Sequence, residues 1–133
     1  MIKKVDHIAI AVNSLEEGAK VYTPLGLKVV HTETVADQGV KIAFIHVGDS
    51  EIELVEPIDP NGGVAKFLKN KGEGIHHICL EVDNIDREVK DLMAKGVEMI
   101  DKQPRKGAAG MIAFVHPKST KGVLIELCQK IKK

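Results

Sequence analysis

The chain has 133 residues, of which 44% are apolar and 29% are charged, values that are ordinary for a globular protein. Lys and Arg total 19 and so do Asp and Glu, so no net charge is available to attract nucleic acid or an anionic membrane. Aromatic residues make up only 3%, which argues against a base-stacking platform, and no apolar run reaches the roughly 18 residues that span a bilayer. We therefore expect a single domain over residues 1–133 that binds neither nucleic acid nor membranes.

The N-terminal segment and the two cysteines bear on the compartment in which the protein works. Asp6 and His7 interrupt the short apolar run near the N-terminus, so we expect a strand here rather than a targeting signal. Cys79 and Cys128 both lie in apolar runs, as buried thiols do in a reducing compartment, and no disulfide framework is expected. Together these features predict a cytoplasmic protein.

The first half of the chain has the pattern of a strand, a helix and three further strands. Residues 5–12 alternate between two faces, which predicts a strand with one face in the core. Asn13 or Ser14 can cap a helix that Gly26 stops. Three strands and a short helix complete this half: 27–35, 40–47, 51–56 and 64–70.

The second half shows the same plan. A strand is predicted over 76–82, and Asp83 or Asn84 begins a helix that ends at Gly96. Three more strands are expected near the following positions: 97–102, 111–116 and 123–129. The order βαβββ therefore occurs twice.

An internal repeat at an offset of 70 residues relates module 1 (about 1–56) to module 2 (about 75–130), with a connector over 57–74. Matching segments occur in the same order: 7–16 with 77–86, 42–46 with 112–116 and, after a three-residue insertion, 52–54 with 125–127. Such an ordered set indicates a duplication. We expect an α+β fold in which helices cover one face of each sheet and the opposite faces line a shared concave cleft.

Four polar residues occupy equivalent places in the two modules. His7 and His77 begin the first strand of each module, and Glu53 and Glu126 lie in the middle of each last strand. A carboxylate inside an apolar strand costs several kcal/mol unless it is paired or bound to a cation. Taken singly, each of the four could be a surface residue. As a symmetric set of two imidazoles and two carboxylates, they predict a site for a divalent metal ion.

The other histidines are given no ligand role. His46 and His116 match each other in the repeat and lie near strand ends, where we expect them to support the structure around the site. Alternation turns His76 toward the helix side, and His31 has no counterpart in the other module.

These features resemble the vicinal-oxygen-chelate superfamily, a group of glyoxalase-like proteins. Along nearly the whole chain the motifs resemble the methylmalonyl-CoA epimerase family within it. The stretches that carry the resemblance are VDHIAIA at 5–11, QGV at 38–40, VAKFL at 64–68, GIHHI at 74–78, HPK at 116–118 and GVLIEL at 122–127.

The resemblance implies an isomerase that interconverts (2R)- and (2S)-methylmalonyl-CoA, in propionyl-CoA breakdown or its reverse. The α-proton would be removed and returned through an enolate that a metal ion stabilises. By position, the family's metal ligands fall on His7, Glu53, His77 and Glu126. Cobalt is the first expectation for the ion, with manganese, zinc or nickel as alternatives, and a homodimer is implied.

Inversion of the α-carbon needs two acid/base groups, one on each face. Glu126 is expected to be one of them. Some family members place the other on a Glu shortly after the QGV motif, but this chain has Lys41 and Ile42 there. Glu53 is therefore the expected second catalytic residue, with Glu33 as an alternative.

Other functions of the same architecture remain open. They are a glyoxalase I-type lactoylglutathione lyase, an iron-dependent dioxygenase and, as a non-enzyme, a drug-sequestering binding protein. No Walker or GxGxxG motif is present, so no nucleotide cofactor is expected. The basic loop over 102–110 and the lysines at Lys118 and Lys121 are either solvated or in contact with CoA.

Overall fold

The computed structural model describes residues 1–131, which form two compact units. The N-terminal unit comprises residues 7–76, and the C-terminal unit joins residues 1–6 to the chain from His77 onward. Strands and helices follow one another in this order: β1 (Ile2–Ala11), α1 (Leu15–Tyr22), β2 (Val29–Val35), β3 (Val40–Val47), β4 (Ser50–Pro57), α2 (Gly63–Lys71), β5 (Gly74–Val82), α3 (Ile85–Ala94), β6 (Arg105–Lys106), β7 (Gly110–Val115) and β8 (Ile125–Lys130). This order confirms the predicted α+β class. None of the helices described is long and apolar enough to cross a bilayer.

The N-terminal unit builds a sheet in the order β2-β3-β4-β1. β1 pairs in parallel with β4, and the other two pairings are antiparallel. α1 begins where the Ser14 hydroxyl accepts a hydrogen bond from the backbone N–H of Glu17, at 3.3 Å. A turn of 3₁₀ helix then ends at Gly26, whose φ of 83° is accessible to glycine at little cost. The helix covers one sheet face, and a second apolar cluster forms on the other: Ala9, Val40, Ile42 and Val55.

The C-terminal unit repeats this plan. Its sheet runs from residues 2–6 of β1 through β5, β8 and β7 to β6. The Asn84 side chain caps α3 by accepting a hydrogen bond from the backbone N–H of Arg87, at 3.1 Å. Ile85 and Val89 on this helix are buried in a cluster that includes Leu127 of β8. The two thiols, Cys79 and Cys128, are free and buried, as predicted.

The predicted strand over 97–102 is wrong. Only one isolated bridge forms there, between Met99 and Val115. The Asp101 carboxylate accepts a hydrogen bond from the backbone N–H of Phe114, at 2.8 Å, and takes the place of a ladder partner. β7 pairs instead with the two-residue strand β6, which lies inside the segment predicted to be a loop.

Gly110 is the position in β7 where a side chain fits least well. A Cβ built there would lie 2.2 Å from the Gln129 carbonyl oxygen and 2.9 Å from the Lys130 Cα. Because both obstacles are backbone atoms of β8, we expect Gly110→Ala to lower the free energy of unfolding by about 3 kcal/mol. Urea denaturation would measure the loss. The matched control is Gly63→Ala in α2, where no atom lies within 4 Å of the added Cβ. Equal stability of the two variants would contradict the prediction.

Candidate metal centre

The C-terminal unit contains a buried histidine–glutamate pair. His77 on β5 and Glu126 on β8 approach with Nε2 2.9 Å from Oε1, and their side chains are 13% and 11% exposed. Leu127, the next residue of β8, points to the opposite face and packs in the cluster under α3. Strand alternation thus directs the carboxylate away from the helix.

The N-terminal unit contains an equivalent pair. His7 on β1 and Glu53 on β4 approach with Nδ1 3.1 Å from Oε2, and their side chains are 10% and 11% exposed. Leu54 is fully buried on the other face of β4, in the cluster that α1 covers. Both glutamates therefore lie on the sheet face opposite the one that a helix covers.

The register of the strands is also the same in both units. In the β1–β4 ladder Glu53 lies opposite Ala9, two residues after His7. In the β5–β8 ladder Glu126 lies opposite Cys79, two residues after His77. Both ladders are parallel, so the repeat seen in the sequence is a repeat of hydrogen-bonding geometry as well.

The donor atoms of these pairs suit a divalent transition metal. Each pair offers an imidazole nitrogen and a carboxylate oxygen within 3.1 Å of each other. Imidazole and carboxylate ligands together are typical of sites for zinc, cobalt, nickel and manganese. The structure brings the four residues predicted from the sequence into two pairs, and the donor set fits the predicted ion.

An aromatic ring supports the pair in the C-terminal unit. Phe114 lies opposite Glu126 in the β7–β8 ladder and meets the His77 ring edge-on, with centroids 5.6 Å apart. The Arg105 guanidinium lies over the Phe114 ring, with Cζ 5.7 Å from the ring centroid. Arg105 Nε donates to Asp101 Oδ1 at 3.0 Å, so the loop carboxylate fixes both the arginine and the strand beside it.

Sequence reasoning assigned no role to Phe114 or to its counterpart Phe44. Phe44 lies opposite Glu53 in the β3–β4 ladder, and its ring stacks on that of His31 with centroids 5.5 Å apart. A signal was present, because both phenylalanines occupy the third position of the matched segments 42–46 and 112–116. An aromatic residue in the middle of a repeat suggests that it packs at the repeated site.

The remaining symmetric histidines form exposed pairs. His46 Nε2 lies 3.1 Å from Glu51 Oε2, with the histidine side chain 63% exposed. His116 Nδ1 lies 3.5 Å from Glu98 Oε2, with side chains 45% and 53% exposed. His116 also accepts a hydrogen bond from the backbone N–H of Lys118, which caps a 3₁₀ turn. These pairs resemble the buried ones in chemistry and differ from them in burial.

The two positions after the QGV motif carry no carboxylate in this chain. Ile42 is buried with Ala9 and Val55 on the face that also carries Glu53. Glu33 lies directly opposite Ile42 in the β2–β3 ladder and is exposed. Because directly opposite residues share a face, Glu33 lies on the same face as Ile42.

Known proteins resemble this chain over most of its length. Residues 6–115 match the Glyoxalase/Bleomycin resistance protein/Dioxygenase superfamily. The mitochondrial methylmalonyl-CoA epimerase of Homo sapiens is 40% identical, over 95% of this chain and 73% of the human protein. The ethylmalonyl-CoA/methylmalonyl-CoA epimerase of Cereibacter sphaeroides is 39% identical, over 97% of this chain and 99% of that protein. A solved structure of a Streptomyces coelicolor methylmalonyl-CoA epimerase variant, in complex with 2-nitronate-propionyl-CoA, has a TM-score of 0.89 at 36% identity and covers 98% of this chain and 96% of its own.

Proposed function

Because the chain belongs to the glyoxalase/bleomycin resistance protein/dioxygenase superfamily and, within it, to the methylmalonyl-CoA epimerases, we propose that it interconverts (2R)- and (2S)-methylmalonyl-CoA. The membership confirms the resemblance predicted from the motifs. The observation that carries the proposal is the buried His–Glu pair that occurs at the same register in both units. A lactoylglutathione lyase or a binding protein is less well supported, since the relatives described above are named as epimerases.

The substrate follows from the relatives and from the chemistry of the pairs. Methylmalonyl-CoA is in the names of the human and C. sphaeroides proteins, and the S. coelicolor structure holds a CoA thioester analogue. The α-carbon of such a substrate lies between a thioester and a carboxylate, so its proton is weakly acidic. Buried carboxylates that accept and return a proton suit this carbon.

We infer that His7, Glu53, His77 and Glu126 together bind one divalent ion, with cobalt first and manganese, zinc or nickel as alternatives. In support, the four side chains are almost fully buried and carry two nitrogen and two oxygen donors. When bound, such an ion supplies positive charge that stabilises the enolate formed when the α-proton leaves.

The residues of the chain would then divide the proton transfers between two faces of the α-carbon. Glu126 would take the α-proton from one face, whether or not it also binds the ion, and Glu53 would deliver a proton to the other. His77 would orient Glu126 through the 2.9 Å contact, and Phe114 packs edge-on against the His77 ring. Glu53 would start the turnover protonated and Glu126 ionised, and afterwards Glu126 would release its proton to solvent and Glu53 would take one up, which restores both groups.

Two features of the setting belong to the same proposal. A homodimer is expected from the superfamily. A cytoplasmic location is supported by Cys79 and Cys128, since free buried thiols are typical of proteins from reducing compartments.

Solvent deuterium incorporation tests the function directly. Metal-loaded protein would be incubated with (2S)-methylmalonyl-CoA in D₂O while the α-proton and the optical configuration are followed together. We expect exchange with racemisation, loss of both on chelation and recovery on addition of Co²⁺. A protein that retains bound metal and neither exchanges nor racemises the substrate would overturn the proposal. Formation of lactoylglutathione from the hemithioacetal of methylglyoxal and glutathione would indicate the lyase instead.

A further inference from the structure

The C-terminal unit contains a buried cluster of two thiols and a carboxylate that the proposed reaction does not use. The side chains of Asp6, Cys79 and Cys128 each offer one ligand atom, and these three atoms lie within 4.8 Å of one another. The residues are 5%, 0% and 7% exposed, and both cysteines are free. Two sulfurs and an oxygen this close together are a possible set of metal ligands.

The parallel pairing of β5 and β8 brings the thiols together. Cys79 lies opposite Glu126, and Cys128 lies opposite Glu81, so the two cysteines are diagonal neighbours on one sheet face. They pack with Ile112 and Phe114 in a small apolar cluster. A contact with the Cys128 side chain and burial both raise the pKa of the Cys79 thiol.

Asp6 completes the cluster, and its carboxylate forms an ion pair with Lys130. Lys130 Nζ lies 2.5 Å from Asp6 Oδ1, and its side chain is 42% exposed. The contact with Asp6 raises the pKa of Lys130, so the ammonium stays charged at neutral pH. The cluster therefore has two thiols, one carboxylate and one nearby cation.

We propose that Asp6, Cys79 and Cys128 form a second metal site, which takes a thiophilic divalent ion such as Zn²⁺ or Cd²⁺. Thiolate ligands select such ions over hard ones such as Mg²⁺ and Ca²⁺. Zn²⁺ binds sulfur at about 2.3 Å and carboxylate oxygen at about 2.0–2.2 Å, so donors already this close together need only side-chain adjustment.

Charge balance supports the same ion class. Binding of one divalent ion releases the two thiol protons to solvent and forms two metal–sulfur bonds and one metal–oxygen bond. The two thiolates and the Asp6 carboxylate carry three negative charges, and the ion with the Lys130 ammonium carries three positive ones. A buried site with no net charge avoids the cost of an uncompensated ion in a low-dielectric interior.

Cadmium titration tests the site without reference to epimerase activity. Reduced protein, as purified, would be titrated with Cd²⁺ while the ultraviolet sulfur-to-cadmium charge-transfer band is recorded. We expect the band in the wild type to saturate at the intensity of one sulfur-bound ion per chain. Cys128→Ala should abolish two-sulfur binding and reduce the band, and Asp6→Asn should weaken Cd²⁺ binding about tenfold or more. His77→Ala is the matched control, because it alters a proposed catalytic ligand on β5 and should leave the band unchanged.

Folding is monitored in each variant by circular dichroism, and Cys79→Ser provides a second thiol substitution should Cys128→Ala fail to fold. The proposal is overturned if reduced, folded wild-type protein shows no charge-transfer band, or if the band survives loss of either cysteine at full intensity. Loss of the band in His77→Ala would show that the sulfur-bound ion also depends on His77, and would equally overturn the assignment to Asp6, Cys79 and Cys128. Since none of these readouts involves methylmalonyl-CoA, failure here leaves the epimerase proposal untouched.

Discussion

Replacing Glu126 by glutamine is expected to lower kcat for epimerisation by about 10²–10⁴-fold, the range that one positioned acid/base group contributes. The amide has nearly the same shape as the carboxylate and keeps an oxygen for a metal ion, but it cannot accept the α-proton. The 2.9 Å contact with His77 is short enough to be kept by an amide, so the fold should tolerate the change. Steady-state kinetics with metal analysis of the same sample would measure both effects.

The control for this variant comes from the same unit of the chain. Glu98 pairs with His116 as Glu126 pairs with His77, but its side chain is 53% exposed. Glu98→Gln should therefore leave both the rate and the metal content near wild type, since an exposed pair contributes little. Full turnover and an unchanged metal content in Glu126→Gln would remove Glu126 from the reaction.

The same comparison shows why burial, and not residue type, singles out the site. Among residues 1–131, each unit has a buried histidine–glutamate pair and a more exposed one, and all four histidines involved have a counterpart in the other unit. In water an imidazole and a carboxylate gain little by meeting, whereas in the interior an unpaired carboxylate is costly. At the two buried pairs the fold therefore accepts the cost of desolvating a carboxylate, which an apolar residue would avoid. Metal and catalytic sites commonly accept this cost.

Much of this arrangement could be predicted because the chain repeats itself. The match between 52–54 and 125–127 placed Glu53 and Glu126 at equivalent strand positions, and the register of both ladders follows the match. Alternation along β4 and β8 also correctly separated Leu54 and Leu127 from the neighbouring glutamates. The repeat thus allowed the strand position of each glutamate to be inferred twice, once from each module.

What the repeat does not share could not be predicted in this way. Asp101 ends the predicted strand over 97–102 because its side chain takes the Phe114 N–H, and a single sequence does not reveal such a side-chain capture. The diagonal contact between Cys79 and Cys128 depends on the parallel register of β5 and β8, which strand patterns alone leave undetermined. The roles of Phe44 and Phe114 were missed because apolar residues in strands are ordinarily core residues.

A glutamine at position 53 should separate metal binding from proton return. We expect Glu53→Gln to keep its bound ion, since the amide oxygen remains a donor, and to lose epimerisation by about 10²–10⁴-fold. With Glu126 intact, one epimer should still exchange its α-proton with D₂O and retain its configuration, because only one face has a working base. Following deuterium and optical rotation for each epimer separately would detect this. Glu51→Gln, in the exposed pair with His46, is the control.

Glu33 decides how the Glu53 result is interpreted. It lies opposite Ile42, on the face that carries Glu53, and its exposure would allow it to reach a bound substrate. If Glu53 is the second base, Glu33→Gln should leave inversion intact. Loss of inversion in Glu33→Gln, together with unchanged turnover in Glu53→Gln, would transfer the role to Glu33 and leave Glu53 as a ligand only. A neighbouring strand would then supply the carboxylate that the residues after the QGV motif lack.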